Sequence, residues 1–136
     1  MKYLYILIAI VFAACSSSKN SSTTSNPLNG TWLPIKEEIG GKELPPAAFS
    51  TQKLVMSDSN YTFTAESVDK GVVRCEAGKM DIYGKEGVNA GKHFTAIYKM
   101  ENDQLIICYN LAGTSYPSAF ETKSNPVLFL CTFKKQ

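Results

Sequence analysis

The sequence has 136 residues, a formal net charge of +2, a single histidine and 44% hydrophobic residues. Its 14 basic residues nearly match its 12 acidic ones, which leaves no basic surplus for a nucleic-acid partner. Size and apolar content suit one domain with its own core, and set aside both a disordered chain and a miniature stapled by disulfides.

The chain opens with Met1-Lys2, one positive charge ahead of an apolar run from Tyr3 to Ala14. That run is shorter than the roughly 20 residues that span a bilayer core. Its length and flanks are those of a signal-peptide core. The residues Phe12-Ala13-Ala14-Cys15 resemble a lipobox, with Phe12 where leucine is usual. The reading is a lipoprotein signal peptide over 1–14, with Cys15 as the lipid-bearing first residue of the mature protein. An ordinary secreted protein cut after Ala14 is the alternative. Residues 15–28 are rich in Ser, Thr and Asn and lack apolar periodicity, so they read as a flexible tether. Two or three acyl chains on Cys15 would make the membrane a stable partner. Ser16 rather than aspartate after the cysteine resembles the outer-membrane sorting choice, and the tether has no acidic cluster for surface export. The expected location is the cell envelope, on the outer membrane facing the periplasm.

From residue 29 to 136 the chain reads as β throughout: short alternating runs divided by Gly, Asn, Asp and Pro. Thr31–Glu38 is a first strand, stopped by Gly40-Gly41. Leu44 to Phe49 is a turn or one helical turn. Lys53–Ser57 and Tyr61–Ala65 form a hairpin through Asp58-Ser59-Asn60. Gly71–Glu76 and Lys79–Tyr83 form a second through Ala77-Gly78. After the loop Gly84–Gly91 come Phe94–Glu101 and Gln104–Asn110, joined by Asn102-Asp103. A long loop then leads to Val127–Lys134, the eighth strand. Alternation puts Trp32, Leu54, Met56, Tyr61, Phe63, Val73, Cys75, Met80, Ile82, Tyr98, Met100, Leu105, Ile107, Phe129 and Phe133 on one face. Lys53, Thr62, Thr64, Arg74, Glu76, Asp81 and Lys99 take the other. A sheet with one apolar face and short turns is best satisfied by closure, which removes its edges. The expected fold is all-β, an eight-stranded antiparallel up-and-down barrel. Its interior is either filled by side chains or holds one small ligand. Pro34 is awkward within a strand and predicts a bend or interruption there.

Gly30-Thr31-Trp32 resembles the G-x-W of lipocalins, in which the tryptophan plugs the closed end of the barrel. The domain as a whole resembles an uncharacterised family of small β domains abundant in planctomycetes. The matching pieces are Leu28 to Trp32, Gly41 to Pro45, Tyr61-Thr62, Gly91-Lys92, Ile97-Tyr98, Met100, Asp103, Leu105, Ile107-Cys108-Tyr109, Pro117 to Phe120 and Phe133 to Lys135. The resemblance implies a lipocalin-like barrel and no established activity.

No catalytic residue is assigned. His93 begins a strand beside a loop, with no nucleophile elbow in the sequence, and reads as a solvated strand-end residue. The carboxylates are scattered, and nothing points to a paired acid and base. Cys75, Cys108 and Cys131 have no metal-ligand spacing; two of them could pair, or all three could be small buried residues. No metal and no cofactor are expected. If the interior is open, the candidate lining is Trp32, Met56, Phe63, Tyr98, Tyr109 and Phe129, with the loops Leu111–Asn125 and Gly84–Gly91 as lids. Two functions follow: a membrane-anchored module that binds a small hydrophobic ligand, or a solid barrel whose outer face docks another envelope protein.

Overall fold

The structure, a computed structural model, describes residues 25–136. The signal segment, Cys15 and the tether up to residue 24 lie outside the described residues.

The strands are β1 (Gly30–Ile39), β2 (Lys42–Glu43), β3 (Lys53–Ser57), β4 (Asn60–Thr64), β5 (Val68–Glu76), β6 (Lys79–Glu86), β7 (His93–Glu101), β8 (Gln104–Asn110) and β9 (Leu128–Lys135). From β3 to β9 each pairs antiparallel with its neighbour in sequence, and β1 pairs with both β3 and β9. The sheet is therefore closed. The two-residue β2 only folds back on the far end of β1, so the barrel proper has eight strands and an up-and-down, lipocalin-like layout. Between Leu44 and Phe49 the chain makes one 3-10 turn, Pro46–Ala48. Strands β5 and β6 run further than alternation suggested, β5 starting at Val68 and β6 ending at Glu86.

One end of the barrel is made of tight turns. Asn102 and Asp103 have φ of 52° and 60°, and Ala77 and Gly78 have φ of 51° and 76°. Two successive positive φ values make the mirror-image turn whose twist matches that of paired strands. Across this end lies the segment before β1. Leu28, read as tether from the sequence, is only 3% exposed and belongs to the core. Asn29 Nδ2 donates to Asp58 Oδ1 at 3.1 Å, and the Asp58 amide donates back to Asn29 Oδ1 at 2.7 Å. Trp32, 1% exposed, donates its indole N–H to the Leu28 carbonyl at 2.8 Å, and Lys135 Nζ lies 5.4 Å from its ring centroid.

The opposite end carries the long connections, residues 40–52, 87–92 and 111–127. The longest does not close the mouth, contrary to the lid expected of Leu111–Asn125. It runs down the outside of the barrel as a strap. Thr95 Oγ1 and Asn110 Nδ2 both donate to the Ser115 carbonyl, and Tyr116 donates its hydroxyl to Asp81 on β6. At its far end Thr122, completely buried, donates to Glu38 and accepts from the Gly41 amide. The strap lies so close to β7 that a Cβ on Gly113, whose φ is +66°, would sit 2.2 Å from the His93 carbonyl oxygen. The outward residues Thr95, Cys108 and Asn110 are buried beneath it, which is why β8 is buried on both faces.

The first strand contains the feature that decides the interior. Pro34 pairs with Phe133 and Lys36 with Thr132, which leaves Ile35 without a partner on β9. This is a β-bulge, and it follows the one residue of the strand with no amide to give the ladder. Because side chains alternate with a period of two, one extra residue swaps the faces beyond it. Trp32 points inward before the bulge, and Glu37 points inward after it, 2% exposed. Ile35 itself is left 40% exposed.

Candidate functional site

The barrel is not filled. Between the tryptophan plug and the mouth lies a cavity of about 160 Å³. Its lower wall is Leu54, Met56, Tyr61, Val73, Met80, Ile82, Ile107 and Phe133. Its upper wall is Glu37, Phe63, Asp69, Asn89, Phe94, Tyr109, Leu111 and Phe129. Of the residues expected to line it, Met56, Phe63, Tyr109 and Phe129 come together there. Trp32 and Tyr98 do not. Trp32 is held beneath the cavity by its bond to Leu28, and Tyr98 lies toward the tight-turn end, its amide bonded to the Gly78 carbonyl. Cys75 and Met100, placed by alternation on the apolar face, are exposed at that end.

Tyr109 and Phe129 are opposite each other on β8 and β9, with ring centroids 5.7 Å apart, and form one stacked side of the upper wall. The Tyr109 hydroxyl is held well above its ordinary pKa, first by burial and then by Cys131 and Glu37 nearby. It stays a neutral phenol at any physiological pH.

Two carboxyl groups face inward, and they differ in how they are satisfied. Asp69, directly on the alternation of β5, accepts from both the backbone amide and the side-chain Nδ2 of Asn89. It clamps the loop 87–92 to the rim. Among the described residues Glu37 has only the Cys131 thiol, directly across on β9, with Sγ 3.8 Å from Oε1. A thiol is a weak donor. Burial in this apolar wall raises the Glu37 pKa, and the thiol offsets that only in part. The same neighbourhood pushes the Cys131 thiol far above its usual range, burial first and Glu37 second. Among the described residues no Lys, Arg or His lines the cavity.

Sequence reasoning missed both acids. Asp69 lay outside the strand as drawn from Gly71. Glu37 was hidden by the bulge, since unbroken alternation from Trp32 would send Lys36 and Glu38 inward. Two charged residues pointing into a core, just past a proline, were the signal for a register change.

All three cysteines within the described residues are free, Cys108 and Cys131 buried and Cys75 exposed. His93 is on the outer face. Its ring stacks on Tyr83 at 4.6 Å and 8°, and its Nε2 lies 2.8 Å from Asp81 Oδ1. Asp81 also accepts from Tyr116, and these two bonds, Tyr116 first, lower its pKa. His93 is thus tied into a surface cluster rather than freely solvated. The cluster anchors the strap. Among the described residues no Ser, Thr or Cys hydrogen-bonds to the imidazole, so the nucleophile of a triad is missing.

The chain matches no family profile, and no curated protein matches it in sequence.

Proposed function

We propose that this chain is an envelope lipoprotein whose barrel binds a small, mostly apolar molecule. The observation that carries the reading is the apolar cavity, plugged at one end by Trp32 and reached from the other. A cavity lined mostly by apolar side chains favours apolar guests. Its size also narrows the guest. An engineered cavity of about 150 Å³ holds benzene, so a body of one ring fits within 160 Å³. A long acyl chain would trail out of the mouth.

The unfilled interior separates this reading from the docking alternative, which assumed a solid barrel. The anchor is part of the proposal: the signal segment, the Phe12-Ala13-Ala14-Cys15 motif and the polar tether support attachment through Cys15 to the outer membrane, facing the periplasm. The resemblance to the planctomycete-rich family of β domains supports the barrel's assignment to that group and adds no activity.

The binding test is a titration of the mature protein with toluene, indole and palmitate, read by Trp32 fluorescence and by melting temperature. Toluene and indole are expected to bind and raise the melting temperature; palmitate binds weakly. A protein indifferent to all three has no such function. Intact-mass measurement of the native protein tests the anchor, with acyl chains on Cys15 as the expected result and an unmodified thiol as the contrary one.

A further inference from the structure

A carboxyl group inside an apolar cavity needs an explanation, because a buried charge is normally paired or neutralised. Glu37 is there because of a built feature, the bulge at Ile35, and not through accident of a flexible loop. Its position is fixed on both sides: the Leu44 amide donates to its backbone carbonyl at 2.8 Å, and Cys131 faces it across the ladder. Among the described residues, only Oε1 of its side-chain oxygens has a partner, the weak thiol donor. In the other inward acid, Asp69, both oxygens accept from Asn89. The cavity therefore offers one under-used acceptor, with negative character, and no positive side chain to answer it.

We propose that the missing partner of Glu37 is the ligand's own cation, and that the cavity takes a small hydrophobic amine. The inference rests on the cavity-binding reading and specifies its ligand. The apolar body packs against the Tyr109–Phe129 side and the methionine-containing lower wall. Its ammonium group donates to the Glu37 carboxylate. No bond is made or broken. An anionic guest of the same size would set a second negative charge beside the first, in surroundings of low dielectric where that repulsion is large. A fatty acid or aromatic acid is thus disfavoured by charge. The ion pair serves selectivity more than affinity, since its attraction is largely offset by desolvation of both charges.

Four ligands of nearly equal shape test this on the full mature chain: benzylamine, benzyl alcohol, toluene and benzoate, compared by calorimetry at pH 7. The expected order has benzylamine tightest, by about tenfold over toluene, which is a difference of about 1.4 kcal/mol. Benzoate is expected not to bind. In Glu37→Gln the amine should fall to the level of toluene or below, while toluene itself is unchanged. Equal binding of toluene and benzylamine overturns the amine inference and leaves the apolar cavity standing. So does benzyl alcohol as the tightest ligand, benzoate binding as well as the amine, or an amine preference that survives in Glu37→Gln. Failure of all four, toluene included, overturns the cavity reading and the inference with it. If Glu37→Gln does not fold, the comparison of benzylamine with benzoate on the native protein still decides the matter.

Discussion

The two ends of this barrel solve opposite problems. At the tight-turn end the polar groups answer one another: Asn29 and Asp58 exchange two hydrogen bonds, the Trp32 indole has Leu28, and its ring has Lys135. At the other end a cavity is left open and an acid faces it with one weak partner. Stability is concentrated at the first end and chemical potential at the second. A binding barrel needs this inequality, because groups saturated by the protein have nothing left for a guest.

The plug should dominate stability. Trp32→Ala removes the largest fully buried side chain and joins the cavity to the space beneath it. A loss of about 3–5 kcal/mol is expected in urea unfolding. A loss under about 1 kcal/mol would mean the closed end does not carry the fold. Next comes the strap, which leaves the open end and runs down the outside. Thr122→Val strands Glu38 and the Gly41 amide, both partners of one buried hydroxyl. About 2 kcal/mol is expected, at about 1 kcal/mol per hydrogen bond. Cleavage within residues 111–127 by a protease at low dose should become faster, while the barrel core stays protected in hydrogen exchange.

Glu37 should show the reverse sign. Its pKa is raised in the fold, so the folded state holds the proton more tightly than the unfolded chain, where the ordinary value is 4.5. Its contribution is fully present below that value and is lost as pH rises through the folded-state pKa. Glu37→Gln is therefore expected to stabilise the ligand-free protein at neutral pH and to flatten the fall in stability that sets in above pH 4.5. A destabilised Glu37→Gln would assign the acid a structural role and erase the contrast between the ends. The smallest effect is on the outer surface. Tyr116→Phe removes the first of Asp81's two partners, and the Asp81 carboxyl should move back up toward its ordinary range in an NMR titration, with little change in melting temperature. Because its pKa is lowered in the fold, Asp81 adds stability above the unfolded value, and this is lost as pH falls through the folded one.

Much of the closed end was legible beforehand. Asn102-Asp103 and Ala77-Gly78 sit between alternating runs, and such pairs adopt the positive φ values that hairpins require. The open end was legible only in part. Met56, Phe63, Tyr109 and Phe129 follow local alternation and do line the cavity. Tyr98 obeys the same alternation and does not: it sits beside the Ala77-Gly78 turn, its amide bonded to the Gly78 carbonyl, a placement that period alone does not encode. The loop Leu111–Asn125 was read as a lid because of its length. Its Thr122 and Tyr116 find their partners 84 and 35 residues away, on Glu38 and Asp81, and these contacts turn it down the outside.

The plug position of Trp32 was implied by the lipocalin resemblance. By itself the sequence determined an alternating all-β chain that must close on itself, with a break near Pro34. These are short-range properties: the period of a strand, the φ of a turn, the missing amide of a proline. Only the tertiary structure decided which way the chain resumed after that break. The extra residue at Ile35 is counted against β9, a strand almost a hundred positions later, and that pairing sends Glu37 into the barrel and Lys36 out of it. A face is a relation between two strands, so one bulge can change an acid from a surface charge into a group that lines the cavity.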